Sequence, residues 1–250
     1  MRWNDEDLDE GPVPKWHQLA QRLRSAVVKG EFAQGDLLPS ETELTRRFGI
    51  SRTTAATALR ALEQDRLVRR RPGHGTVVLP PPIDQPLTLL SSFSEDMRGR
   101  GLTAGYRESA VTVAIPPPDA AAAFGLADGD HVVAIDRMLL AEGEPIAHSR
   151  CWLAPHAVDP SAPPSADELD RGSLYAWIER NSGSRVATAD EHIEGATAGA
   201  ALARRLAVPR GAAVLVARRL SRDASGRPVE LATITYRADR YRYRIELVRP

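Results

Sequence analysis

The stretch Ser40-Glu41-Thr42-Glu43-Leu44, followed by Phe48-Gly49-Ile50-Ser51-Arg52-Thr53-Thr54 and by Arg69-Arg70-Arg71-Pro72-Gly73-His74-Gly75-Thr76, sets two capped helices and a basic hairpin close together. Ser40 with Glu43 three residues later makes a capping box, Leu44 and Phe48 share one helical face, and Gly49 suits the left-handed turn that ends a helix. Ser51 caps the next helix, in which Ala55, Ala58, Leu59 and Leu62 form an inner stripe while Arg52, Thr53, Ala56, Thr57 and Arg60 face outward. Upstream, Leu19, Leu23, Ala26 and Val27 recur at the helical period between Pro14 and Gly30. Downstream, residues 67–71 and 76–79 read as two strands joined by Pro72-Gly73-His74-Gly75. This is the pattern of a winged helix-turn-helix, which offers one helix to a DNA major groove with a cationic turn beside it.

The expected contacts follow from side-chain chemistry. Arg52 is the candidate base reader, because a guanidinium bridges guanine O6 and N7; Thr53, Thr54 and Thr57 suit phosphates or a thymine methyl. Ser40, Thr42 and Ser51 stand at the two helix starts and join the candidate DNA-binding set. Arg69, Arg70 and Arg71 attract phosphates, His74 sits in the turn, and Gly73 and Gly75 let the backbone approach a groove. Against this stands a plain alternative, a solvated basic loop beside a three-helix core. Charge favours DNA: the net charge of the chain is zero, yet residues 15–80 hold twelve Lys or Arg against six Asp or Glu, and residues 1–14 hold one against five.

At 250 residues the chain has room for a second domain with its own core. Pro80-Pro81-Pro82 and Ile83-Asp84-Gln85-Pro86 read as a stiff connector, and the acidic leader as a disordered tail. One cysteine, Cys151, excludes an internal disulfide, and the absence of a long apolar run points to a cytoplasmic protein with no membrane partner. Beyond the connector, strands are expected over 106–115, 131–141, 144–153, 185–193, 213–221, 228–236 and 240–248. Helices are expected over 118–124, 173–180 and 197–206. Hairpin turns at 141–144 and 223–226 make the sheet mainly antiparallel, so the fold class is α+β.

The head resembles the GntR family of bacterial transcription regulators. The second domain resembles the HutC subfamily's effector domain, UTRA, through residues 90–101, Ile135-Asp136-Arg137-Met138-Leu139 with Gly143-Glu144-Pro145, Gly172-Ser173-Leu174-Tyr175, and residues 227–230 and 236–241. The resemblance implies a chorismate-lyase-like fold and a homodimeric regulator, most simply a repressor, that binds a two-fold symmetric operator. It also implies control by a small anionic metabolite such as a phosphorylated sugar or an organic anion. Carried over by position, Ser92, Phe93 and Ser94 match an anion-holding loop at a helix start, Arg137 matches a pocket arginine, and Ser173, Glu230 and Tyr236 match ligand-bonding positions. Structural roles compete for each: Ser173 and Ser94 as caps, Glu230 and Tyr236 as ordinary strand residues.

Two departures stand out. Relatives that sense sugar phosphates carry a second arginine where this chain has Leu139, so either the effector is less highly charged or Arg150 supplies the missing cation. On the third helix, Ala56 occupies a common arginine position, which implies a different operator. The resulting organisation is a leader over 1–13, a winged helix-turn-helix over 14–80, a linker over 81–89 and a UTRA domain over 90–250. No enzyme activity, metal or cofactor is expected. Cys151 with His148 and His156 has poor spacing for a nucleophile and base, and the histidines lack ligand spacing. The rival readings are an enzyme on the chorismate-lyase-like fold fused to the head, and a DNA-binding protein with no effector.

Overall fold

The computed structural model of the protein describes residues 3, 6–65, 67–71, 73–80 and 82–248, and two compact units meet in sequence between Pro82 and Ile83. The side chain of Arg71, together with Pro72 and Pro81, lies outside the described residues.

The first unit contains α1 (Lys15–Val28), β1 (Leu37–Leu38), α2 (Glu41–Phe48), α3 (Arg52–Gln64), β2 (Val68–Arg71) and β3 (Gly75–Val78). Leu19 and Leu23 from α1, Leu44 from α2 and Leu59 and Leu62 from α3 are fully buried together. Each such side chain contributes roughly 1.5–3 kcal/mol. The capping box forms as read, with the Ser40 hydroxyl accepting from the Glu43 amide and the Glu43 carboxylate accepting from the Ser40 amide at 2.8 Å. Gly49 adopts φ 61° between the two helices, where a side chain would be strained. The hairpin of β2 and β3 is widened by β1, giving the antiparallel order β1-β3-β2. The two-residue β1 carries no periodic signal and is absent from the sequence reading.

The leader differs from its reading as a disordered tail. Residues 6–13 lie along the helices: Leu8 is buried in the head core, the Gln18 side chain donates to the Asp9 and Val13 carbonyls, and Asp7 pairs with Arg47 at 2.7 Å. The Trp3 ring meets those of Phe32 and Phe48 at 5.8 and 6.0 Å. Two apolar anchors within an acidic stretch outweigh what its composition suggests.

The second unit is built on six antiparallel strands in the order β5-β6-β7-β10-β9-β8. These are β5 (Ala104–Ala114), β6 (Val132–Ala141), β7 (Glu144–Leu153), β8 (Val186–Thr197), β9 (Ala213–Asp223) and β10 (Pro228–Arg237). Helices α4 (Phe93–Gly99), α5 (Pro118–Phe124), α6 (Ala166–Asp170), α7 (Leu174–Ser182) and α8 (Ala200–Arg205) connect or flank them. Ile135, Leu139, Cys151, Leu153, Ala232, Ile234 and Tyr236 cover one sheet face with Met97 and Ile178, while Met138 and Val214 meet the α8 region on the other.

Two further expectations change here. Ile83–Pro86, read as linker, forms β4, with Ile83 buried; the strand expected over 240–248 shortens to β11 (Tyr241–Arg244), which pairs with β4 in parallel rather than joining the main sheet. An ion pair between Arg242 and Asp84 closes that ladder.

The sheet is also a repeat. The run β5, α5, β6, β7 recurs as β8, α8, β9, β10, and the halves meet where Ser149 faces Ile234. Each hairpin carries a bulge three residues past its turn glycine, at Ile146 after Gly143 and at Val229 after Gly226. Beyond the bulges the first pairs are Leu139 with Ala147 and Ser221 with Glu230. Two residues before Leu139 and Ser221 stand Arg137 and Arg219, so the repeat brings one arginine from each half to the same face.

Candidate functional site

On the head, α3 begins at Ser51, whose hydroxyl accepts from the Thr54 amide at 3.1 Å and lies 2.8 Å from the Thr54 hydroxyl. Arg52 and Thr53 are exposed at the first turn, and the half-buried Thr57 donates its hydroxyl to the Thr53 carbonyl at 2.8 Å. A cleft of about 1070 Å³ is bounded by Ser40, Thr42, Arg52, Arg70, Gly73 and Gly75, so the two helix starts and the wing form one surface. Gly75, at φ +87°, would place a Cβ 3.3 Å from Leu37, which ties the wing closely to β1. Arg70 differs from a freely presented phosphate contact: its guanidinium pairs with Glu41 and its amide donates to Glu63 at 3.0 Å. Arg69 is half-buried and His74 is exposed.

In the second unit the inward face of the sheet gathers most of the expected pocket residues. Arg137 is 7% exposed, lies with its guanidinium carbon 4.4 Å from the centre of the Tyr106 ring, and donates to the Gly172 carbonyl at 3.5 Å. Tyr106 is hydrogen-bonded to Ser94 and meets Phe93 edge-on at 6.0 Å. A cleft of about 610 Å³ in front of them is lined by Ser94, Tyr106, Gly172, Ser173 and the side chains of Arg98 and Arg171. Ser92 and Ser173 act as N-caps, accepting from the Glu95 and Ala176 amides at 3.3 and 3.4 Å.

Deeper on the same face, Glu230 is 5% exposed and accepts from the Tyr175 hydroxyl at 2.7 Å and from Ser221 at 3.4 Å. Burial, then the Glu230 charge, pushes the Tyr175 phenol well above its usual range, so it stays a donor. Tyr236 stacks on Tyr241 with ring centres 3.9 Å apart. Arg219 donates through Nε and Nη2 to Glu191 at 3.3 and 3.0 Å. Burial opposes its charge, but the surrounding phenolic and acidic groups outweigh that and hold it cationic.

Arg150 does not join this set. Strand alternation turns it to the opposite face from Ser149 and Cys151, where it is exposed and lies over the Trp152 ring at 5.5 Å. The cation within reach of Leu139 is Arg219, which lines a small cavity with it. Tyr106, Tyr175, Ser221 and Arg219 are the polar residues the sequence reading missed. Tyr175 lay within a motif already singled out, whereas Arg219 is legible only through the repeat.

Cys151 faces inward, and burial followed by the nearby Glu230 pushes its thiol far up, so it stays protonated. His148 lies on the other face, 2.8 Å from Asp136, which also binds Arg205 at 2.8 Å. Burial acts to raise Asp136, but these bonds outweigh it and hold the carboxyl at about 2.

Comparisons with known proteins agree with this division. Residues 16–78 match the model for bacterial regulatory proteins of the gntR family, and residues 99–242 match the UTRA domain. The chain is 32% identical to the HTH-type transcriptional repressor NagR of Bacillus subtilis, over 94% of its own length and 95% of that protein. It is 29% identical to the mannosyl-D-glycerate transport/metabolism system repressor MngR of Escherichia coli, over 68% of its length and 69% of that protein. The crystal structure of PhnF from Mycobacterium smegmatis aligns with a TM-score of 0.61 at 27% identity, covering 91% of this chain and 98% of that one. With one model on each unit, the UTRA match spanning more than half the chain, and a repressor related along nearly its full length, the chain belongs to the gntR family of bacterial regulatory proteins, in its UTRA-domain branch.

Proposed function

We propose that this transcription regulator is a cytoplasmic homodimeric repressor whose two heads bind a two-fold symmetric operator and whose second unit senses a small phosphorylated or otherwise anionic metabolite. The observation that carries the sensing role is Arg137, a buried guanidinium behind an arginine-lined cleft that also holds Ser94 and Ser173. Such a group binds a phosphate or carboxylate through paired hydrogen bonds at a site from which water is largely excluded. Phe93, Glu230 and Tyr236 would enclose the rest of the ligand, and Ser92 would fix the loop through its cap. The name of MngR, a mannosyl-D-glycerate transport/metabolism system repressor, supports a sugar-derived anion such as a phosphorylated sugar as the first class to try.

In the head, Arg52 would read a base, Thr53, Thr54 and Thr57 would contact phosphates or a thymine methyl, and the wing, including Arg69 and Arg71, would follow the backbone. Ligand acts by population shift: it binds best to a dimer whose head spacing no longer matches the half-sites. A tenfold loss of operator affinity requires about 1.4 kcal/mol of differential binding. No catalytic step is assigned. The protonated thiol of Cys151 and the placement of His148 on the other sheet face argue against the nucleophile and base considered from sequence.

The test is a thermal-shift screen of sugar phosphates, amino-sugar phosphates and organic acids, followed by operator-release titrations with every compound that raises the melting temperature. A phosphate ester that both stabilises the protein and releases DNA is expected. Stabilisation by none of these classes, or turnover of the bound compound, overturns the sensor reading.

A further inference from the structure

Beside Leu139 lies a small, partly open cavity of about 40 Å³, walled by Gln85, Phe93, Leu139, Ile234, Tyr236 and Tyr241 and reached by Arg219. Two residues that line it each hold a buried polar atom without a hydrogen-bond partner, Asp96 Oδ2 and Ser91 Oγ. Asp96 is 8% exposed, and its bonds from Arg100, at 2.9 and 2.7 Å, both go to Oδ1. An unpaired carboxylate oxygen at such a depth costs about 1–3 kcal/mol or more, a cost that a hydrogen-bond donor entering the cavity, a water or a ligand hydroxyl, would remove.

The chemistry of that partner is constrained on three sides. Asp96 Oδ2 needs a donor, and a second carboxylate placed there would meet like charge. Arg219 spends its Nε and Nη2 edge on Glu191, which leaves Nη1 on the other side of the fork to donate. The group must therefore both donate and accept. The size of the cavity suffices, since a water needs about 10–15 Å³ of such space, so there is room for a hydroxyl on its carbon. Position completes the match: Leu139 is two residues from Arg137 on the same strand face, roughly 7 Å away.

We propose that Asp96 and Ser91, with Arg219, form a second subsite of the effector pocket that reads one hydroxyl group of the ligand, one strand row from the anion held at Arg137. The inference rests on the sensing role of Arg137. It makes the pocket selective between anions of equal charge: a ligand bearing a hydroxyl at that distance binds, and its deoxygenated counterpart leaves Asp96 unpaired.

The test measures binding of three probes to the full-length protein by calorimetry: glucose 6-phosphate, its mono-deoxy analogues, and hexyl phosphate. In the unsubstituted protein one deoxy analogue binds at least tenfold more weakly than glucose 6-phosphate. Asp96→Asn and Ser91→Ala each erase that difference while leaving hexyl phosphate affinity within twofold; Ser91→Ala covers the case in which loss of the Arg100 contact disturbs α4. If all deoxy analogues bind alike, or if the difference survives both substitutions, the cavity holds only a water and the subsite is wrong. If binding of the probes is insensitive to Arg137→Ala, the sensing role falls and takes the subsite with it; if none of the three binds, the same comparison on the phosphate ester that stabilises the protein, with its deoxy analogues, decides.

Discussion

The two candidate sites of this regulator solve opposite problems. On the head, Arg52 and Thr53 stand in solvent at the start of α3, positioned by Ser51 and by a core that lies entirely behind them. In the second unit Arg137, Glu230 and Tyr236 are buried and already engaged inside the protein: Arg137 with the Gly172 carbonyl, Glu230 with Tyr175, and Tyr236 with the Tyr241 ring. A ligand at the head adds contacts to groups that water already satisfies, so charge and salt dominate its affinity. A ligand in the pocket must exchange hydrogen bonds one for one, so affinity there depends on matching donors to acceptors. The first arrangement tolerates sequence variation in its partner by degrees, and the second discriminates sharply.

The comparison can be broken most directly at Arg52. Arg52→Ala is expected to cost about 1–3 kcal/mol of operator binding, roughly 5- to 150-fold, and to relax base preference at one position of each half-site, with effector-induced thermal stabilisation unchanged. Anisotropy titrations on matched and mutated operators measure this; uniform weakening across sequences would show that Arg52 contacts only phosphate. Arg137→Ala should do the reverse, lowering effector affinity at least tenfold while operator binding in the absence of effector stays within about twofold, a split that paired DNA and ligand titrations reveal.

Smaller effects sharpen the picture of the wing. Because Arg70 is paired with Glu41, Arg70→Ala should flatten the salt dependence of DNA binding by no more than about one phosphate contact. Glu41→Gln should tighten binding by about twofold, the scale of an exposed ion pair. The salt slope of log Kd for each variant decides between a phosphate contact and a strut. The effect of Asp136 falls on folding stability and leaves both binding sites untouched. Its carboxyl is held at about 2 in the folded state against about 3.9 unfolded, so its stabilising bonds to His148 and Arg205 are complete above pH 4 and disappear as pH falls toward 2. Asp136→Asn should flatten the acid limb of the second unit's melting profile over that window and leave the head's unfolding unaltered.

The same contrast explains what the sequence made legible. Caps and turns are local, so Ser40 with Glu43, Gly49, Ser51 and both long hairpins could be read within a few residues, and the α5 boundaries agree to the residue. Exposed charge at a helix start is local too, which is why the DNA face was readable. The pocket is assembled from α4, β6, α7, β9 and β10, and only the sheet order brings those strands together. Arg150 shows where a signal was present and missed: Cys151 and Leu153 are buried neighbours on β7, so alternation already sets Arg150 outward. Arg219 had no such local sign, because its environment is supplied by Glu191 on the adjacent strand and by the segment around Asp96. Nor could β4 be distinguished from a linker, since its partner lies 158 residues away in the Arg242 to Asp84 contact.

That last pairing has a mechanical consequence. The β4 strand follows directly on the stretch of prolines after the head, and its parallel ladder to β11 begins with Ile83 opposite Tyr241. Tyr241 is also the ring stacked on Tyr236, at the wall of the polar pocket. A ladder of backbone hydrogen bonds resists sliding, because displacement by one residue breaks every rung at once. The pocket wall and the tether of the DNA-binding head are therefore coupled by a rein one strand long: what pulls on Tyr241 pulls on Ile83.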